Sequence, residues 1–347
     1  MLRTAVQRPG AQMTSRARVL AAIRGEPVDR APNMPLVKQF CTRQMGGDFM
    51  EYNRDHRVLA DSQLRLHERW PFDCFNVLGH PYREASDAGL PLLWRKDAGP
   101  EANGVLVKER GDIAVIRWPE PEAGPLMRDR IAAIRRFKAC RPDVAVLGWV
   151  EGCFAQAATF MGMERAMTAL ALEPDLMREL LDFILPREVA FARAQIEAGA
   201  DLIGVGDAAA SLISSDLYCA LVLPYERDLV GAIRRAGAPA KLHICGDIRH
   251  LLSDIATTGA DMVDIDWMVD LTEARHLLGP DVCLCGNFDP VAILLRSTPE
   301  EVRQSCLRCV REAGAPFVLA PGCEVPPDTP AENFAALCLP YGTTRGI

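Results

Sequence analysis

Apolar and polar positions follow two alternating patterns along the chain. Short, nearly continuous apolar runs recur at 31–37, 72–79, 143–152, 200–207, 240–246, 260–266, 281–287 and 315–322. Between them lie longer stretches with apolar residues every three or four positions, such as "DLMRELLDFILPREVAFARAQIEAG" and "TPEEVRQSCLRCVREAG". The first pattern suits strands buried on both faces, the second amphipathic helices. Several helical stretches end in Gly-Ala or a close variant just before the next run ("EAGAD", "TTGAD", "EAGAP"), where glycine supplies a left-handed cap. Eight strands, each followed by a helix or a long loop, predict an α/β fold: a single (β/α)8 TIM-type barrel over residues 15–347. The helix "SRARVLAAIRGE" forms an N-terminal extension, and "PLLWRKDAG" with "GVLVKERGDIAVIRW" predicts a β-hairpin insertion over 91–118. An open doubly wound sheet is the alternative; it would bring an early Gly-rich phosphate loop, which the sequence lacks. Residues 1–14, with two arginines and no apolar core, read as a flexible tail.

Composition narrows the classes of function. The chain has 347 residues, 49% apolar and 24% charged, with a net charge of -7. That balance describes a globular protein with no basic footprint for nucleic acid, and no apolar run approaches the roughly 20 residues that span a bilayer. Twelve cysteines without a secretory signal point to a reducing, cytoplasmic setting, where thiols pack, bind metal or catalyse. Cys306 and Cys309 stand at helical spacing with no second Cys pair nearby, as ordinary helix residues.

In such a barrel the chemistry gathers at the C-terminal strand ends. Those ends carry Lys38 to Arg43, His80 to Glu84, Glu151, Asp207, His243 with Cys245, Asp264 with Asp266, Asn287 with Asp289, and Cys323 with Glu324. His243 and Cys245, two apart on a strand, project from the same face. Cys323, in the Pro/Gly-rich loop "APGCEVPPDTP", makes a third ligand available. One imidazole and two thiolates suit Zn²⁺ with a fourth position open, the arrangement of a catalytic site. Two buried thiols beside a hydrogen-bonded histidine remain the alternative. Cys283 and Cys285 share the i, i+2 spacing but have no histidine beside them and read as packing residues.

The motifs "RVLAAIRGEPVDRAP", "LVLPYERDLVGAIRRAG", "KLHICGD", "CGNFDP" and "APGCEVPPDTPAENFAAL" together resemble the uroporphyrinogen decarboxylase superfamily. Within it, His-x-Cys-Gly combined with Pro-Gly-Cys-Glu is similar to the zinc-dependent corrinoid methyltransferases that act on coenzyme M. The resemblance implies that His243, Cys245 and Cys323 are zinc ligands. It also implies methyl transfer between a corrinoid and a small thiol, methoxy or methylamine compound. The chain lacks an Asp-x-His-x-x-Gly signature, and His276 in "DLTEARHLLG" does not match it. The corrinoid is therefore expected on a partner protein docking at the barrel mouth. The superfamily resemblance further implies a homodimer.

The departures from the pattern mark other residues. Where the decarboxylase has an arginine-rich segment this chain has "FCTRQMGGDF", with Arg43, and His80 stands where an aspartate is expected. Where many methyltransferase relatives have a GP-x-T-L-A segment, this chain has "GWVEGCFAQAATFMG". Glu151 thereby becomes a candidate fourth ligand or proton acceptor, and Asp207 a second catalytic candidate. Asn287, Gln156 and His80 are expected to line the pocket on the cofactor side. The alternatives are a metal-free uroporphyrinogen decarboxylase and a non-catalytic barrel that binds a corrinoid or a thiol.

Overall fold

The computed structural model describes residues 12–342. Its strands are β1 (Cys74–Asn76), β2 (Leu92–Leu93), β3 (Glu101–Ala102), β4 (Ala145–Glu151), β5 (Leu202–Gly206), β6 (Ala240–His243), β7 (Met262–Ile265), β8 (Cys283–Phe288) and β9 (Phe317–Pro321). Seven of these form one parallel sheet in the order β1-β4-β5-β6-β7-β8-β9. The segment expected as the first strand, 31–37, closes the ring. Leu319 N–H donates to Pro32 C=O at 2.8 Å and Met34 N–H to Leu319 C=O at 2.9 Å, while Asp73 N–H donates to Asn33 C=O at 2.7 Å. This stave makes only an isolated bridge, Asn33 to Leu319. Pro32 and Pro35 lack the N–H groups that a longer ladder needs. The chain is a (β/α)8 barrel.

Strand faces and helix stripes are both buried. Every residue of β4, β5, β6, β7, β8 and β9 is enclosed, as the unbroken apolar runs require of a sheet with helices outside and side chains within. The helix Pro125–Cys140, opened by proline at its first position, buries Met127, Ile131, Ile134 and Phe137 along one stripe. Phe137 stacks on Phe75 of β1 with ring centroids 4.6 Å apart. Truncating it to alanine removes about 3–5 kcal/mol of stability. Gly199 (φ 110°) and Gly314 (φ 62°) take the positive dihedrals expected where helices give way to strands.

Two expectations change in detail. The insertion contains a hairpin, but β2 pairs with β3, so its second arm lies ahead of 104–118. Further on, Lys108 and Glu109 N–H both donate to Asp112 Oδ2, at 2.8 and 2.9 Å. This capping box starts a helical turn, Arg110–Ile113, instead of a strand. Residues 1–11 of the expected tail lie outside the described residues. Met13 and Thr14 are tied down: Thr14 Oγ1 caps the helix Ser15–Ile23 by accepting from Ala17 N–H, and Met13 N–H donates to Asp29. Among the described residues no helix is long and apolar enough to cross a membrane.

Candidate metal centre

β6 is four residues long, and all four are buried. Lys241 and His243 alternate onto the barrel interior, and the chain then turns at Gly246 (φ 95°), whose N–H donates to Asp266 Oδ2 at 2.9 Å. That turn leaves Cys245 at the mouth. From the far side of the ring β9 ends at Pro321, and Gly322 N–H donates to Phe288 C=O at 2.9 Å. A Cβ at Gly322 would lie 2.6 Å from the Trp267 nitrogen, so only glycine lets the loop pass close enough to present Cys323.

The three side chains meet. His243 Nε2 is 2.8 Å from Cys245 Sγ, and Cys245 Sγ is 4.0 Å from Cys323 Sγ; all three candidate ligand atoms lie within 4.8 Å of one another. On the other side of the ring His243 Nδ1 contacts Asp264 Oδ2 at 2.6 Å. The carboxylate thus keeps the proton on Nδ1 and leaves Nε2 facing the sulfurs, the usual support for a metal-ligating histidine. Lys241 Nζ lies 3.0 Å from the same Asp264 oxygen.

The electrostatics follow from these contacts. A hydrogen bond from Cys245, with His243 beside it, outweighs burial and brings Cys323 down to about 4, so one thiolate is present at neutral pH. Cys245 is pushed up, because it shares its proton with that thiolate in a buried place. Burial opposes charge on His243, but Asp264 and the Cys323 thiolate raise it to about 9. Asp264 is buried too, yet Lys241 and His243 hold it ionised. The set of one imidazole and two sulfurs, with the Asp264 carboxylate holding the imidazole from behind, fits Zn²⁺. Among the described residues Asp55, His56 and Asp129 are equally close together. There, however, Asp129 pairs with Arg130 and Asp55 with Arg57.

The remaining sequence candidates fall in different places. Glu151 ends β4 and is separated from His243 in register by Gly206 of β5. The Trp149 indole fills the space between: its N–H donates to Glu151 Oε1 at 3.2 Å, and its ring lies edge-on to His243 with centroids 5.6 Å apart. The indole fits because Gly204 and Gly206 have no side chains; a Cβ at either would come within 2.6 Å of it. Burial, and the nearby Glu84 carboxylate, raise Glu151 to about 8 against the pull of Arg83. Asp207, expected as a catalytic group, is fully enclosed just past the end of β5. Its carboxylate accepts from Phe154 and Ala155 N–H, at 3.3 and 2.8 Å, at the start of the helix Cys153–Met161. Burial lifts it to about 7.

Gln156, on that same helix, is buried with neither amide atom hydrogen-bonded to protein. His80 accepts from Tyr82 N–H at 3.2 Å and lies edge-on to Trp94. Burial and the neighbouring Arg83, Arg130 and Lys38 lower it to about 2, so it is a neutral imidazole. The Asn287 amide donates to Val269 C=O at 2.6 Å and binds the loop after β7, while its oxygen accepts from Cys309 Sγ at 3.7 Å.

Sequence reasoning passed over Lys241, Trp149 and Glu188, and gave Arg83 and Asp264 no role. Lys241 did carry a signal, a lysine inside an apolar run two residues before the histidine. The meeting of Arg83 with Glu188 carried none, since the elements that hold them are about a hundred positions apart in sequence.

Comparison with known proteins adds to this picture. The family model of uroporphyrinogen decarboxylase (URO-D) matches residues 14–339. A methylcobamide:CoM methyltransferase of Methanosarcina barkeri is 27% identical over 344 residues, covering 94% of this chain and 97% of that protein. A uroporphyrinogen decarboxylase of Neisseria meningitidis serogroup B is 26% identical over 282 residues, covering 79% and 78%. A solved methyltransferase structure from Methanosarcina mazei superposes with a TM-score of 0.84 at 24% identity, covering 94% and 97%, and has the same fold.

Proposed function

This chain belongs to the uroporphyrinogen decarboxylase family, and from that premise we propose that it is a zinc-dependent methyltransferase. It moves a methyl group between a corrinoid carried by a partner protein and a small thiol, methoxy or methylamine compound. The observation that carries this reading is the meeting of His243, Cys245 and Cys323 at the barrel mouth, with ligand atoms within 4.8 Å of one another. The similarity to a methylcobamide:CoM methyltransferase along nearly its full length supports it.

His243, Cys245 and Cys323 would hold the ion. Bound there, Zn²⁺ supplies Lewis acidity that favours the thiolate form of a thiol or makes a methylated heteroatom a better leaving group. The chain's own residues do the rest. Asp264 fixes the imidazole so that Nε2 faces the sulfurs. Glu151, raised to about 8 by burial and held by the Trp149 N–H, accepts the proton that a thiol gives up on binding in its ionised fraction, which grows as pH rises toward 8. Asp207 acts at one remove, by fixing the start of the helix that carries Gln156, whose buried amide makes no hydrogen bond within the protein.

Around the mouth the loops after β5, β7 and β8 expose Leu212, Trp267, Met268 and Val291. This apolar rim is where a corrinoid protein would dock, because its cofactor has to come within reach of the sulfurs.

Elemental analysis of freshly purified protein tests the reading together with the absorbance of methylcobalamin mixed with a panel of thiols. The proposal expects about one zinc per chain, lost in Cys323→Ser, and demethylation that a chelator stops. Metal-free wild type, or decarboxylation of a tetrapyrrole that survives chelator, overturns it.

A further inference from the structure

Lys241 is 1% exposed, on an interior strand of a closed barrel. A buried ammonium is costly without an anionic partner, and replacing such an ion pair by apolar groups is often neutral or stabilising. Stability therefore does not account for this lysine. Its ion-pair partner among the described residues is Asp264 Oδ2 at 3.0 Å, the oxygen that also holds His243 Nδ1 at 2.6 Å. Lys241, Asp264 and His243 thus form one line that ends at the two sulfurs.

Charge explains why the lysine is there. A divalent ion held by two thiolates and a neutral imidazole is balanced. Asp264 adds one negative charge next to that set, and Asp266, held by Gly246 and Met268 N–H, adds another slightly further out. Any ligand that arrives as an anion then enters an already negative place of low dielectric, where like charges repel strongly. Other cations nearby have partners of their own: Lys38 pairs with Glu324 and Arg83 with Glu84. The cation in contact with the ligand chain is Lys241.

We propose that Lys241 is a positioning residue which acts through Asp264 to offset the charge of the metal set, so that the open position admits an anionic sulfur ligand. The inference rests on the metal-binding reading above and concerns the anion-accepting character of the site. When a thiol binds, its S–H bond breaks, the proton leaves to buffer or to Glu151, and the sulfur stays as thiolate.

The test uses the full chain loaded with Co²⁺, whose thiolate-to-metal absorbance reports ligand entry. Wild type and Lys241→Met are titrated at one pH with 2-mercaptoethanol, which enters as an anion, and with imidazole, which enters neutral. The expected result is an apparent Kd for 2-mercaptoethanol raised about tenfold or more in the variant, as loss of a nearby buried charge requires. The imidazole value should move less than about threefold. A lysine that only packs the barrel would shift both ligands together or neither, and either result overturns the proposal. Should Lys241→Met fail to fold, Lys241→Gln keeps a donor for Asp264 without the charge and is judged by the same two outcomes. Wild type that takes up no Co²⁺ or Zn²⁺ removes the metal-binding reading and this inference together. Wild type that binds metal, with a variant of unchanged thiol affinity, removes this inference alone.

Discussion

At one corner of the barrel Lys241, Asp264, His243, Cys245 and Cys323 form a continuous chain of contacts, at 3.0, 2.6, 2.8 and 4.0 Å. At the other, Glu84, Glu151 and Glu188 lie within electrostatic reach of Arg83. Only Glu84 pairs with it directly, at 2.6 Å. Both oxygens of Glu188 and one of Glu84 are buried with no hydrogen-bond partner. In the first corner Lys241, Asp264, His243 and Cys323 hold one another in their charged forms, and Cys245 keeps the proton it shares with Cys323. In the second, burial and like charges drive Glu151 and Glu188 toward the neutral form. Glu188 is pushed well up by burial and by its two glutamate neighbours. The contrast separates a place where buried charges are paired from a place where buried carboxyls go unpaired.

Substitutions at the two corners should therefore differ in kind, and the acidic corner offers the largest effect. Folded Glu188 keeps its proton, whereas the unfolded residue loses it above the ordinary glutamate range. Unfolding thus releases a proton and becomes easier by about 1.4 kcal/mol per pH unit, until the folded group also ionises. The stability this group contributes is complete below the unfolded pKa and fades as pH rises. Glu188→Gln should match the parent at pH 5 within about 1 kcal/mol and become progressively more stable than the parent as pH rises toward 8. Denaturant titrations at the two pH values read this directly; parallel pH dependences would show that Glu188 is ionised in the fold.

Asp264→Asn, in the paired corner, should lower Zn²⁺ affinity about 10- to 100-fold, measured by competition with a chromophoric chelator. An unchanged affinity would mean that the carboxylate does not orient His243.

Trp149 lies between the two corners and gives a smaller effect. Trp149→Phe removes the N–H that favours the Glu151 carboxylate, an interaction of about 1 kcal/mol. The Glu151 limb of the pH profile for thiol-dependent methyl transfer, near 8 in the parent, should move up by about 0.7 unit. A downward shift would contradict the hydrogen bond. The smallest effect belongs to Cys306→Ala. This buried helix position should cost about 1 kcal/mol of stability and leave the zinc content unchanged; loss of zinc would mean that a distant thiol takes part.

The two corners were not equally legible in the sequence. The staves announced themselves as apolar runs because both faces of each strand are covered, and the two-residue spacing put His243 and Cys245 on one side. The stave at 31–37 looked like its neighbours, but its prolines, which remove donors, reduce it to a bridge at Asn33. The acidic corner was not readable. It depends on the helix Arg83–Asp87, the end of β4 and the long helix Pro174–Glu197 bringing Glu84, Glu151 and Glu188 around Arg83, and no local pattern marks that meeting. The insertion misled for a related reason. "GVLVKERGDIAVIRW" alternates like a strand, but Asp112 caps a helical turn inside it, and Leu106 and Val107 donate to Phe160 C=O where a strand would need a neighbour.

The two glycines of β5 that make room for the Trp149 ring also equip the barrel with its own optical reporter. An indole whose N–H touches the Glu151 carboxyl and whose edge faces the His243 imidazole sits where proton uptake and ion capture both alter its excited state. Its emission should register each event separately, without any label. The other four tryptophans of the chain supply the background against which that signal is read, and Trp149→Phe supplies the blank.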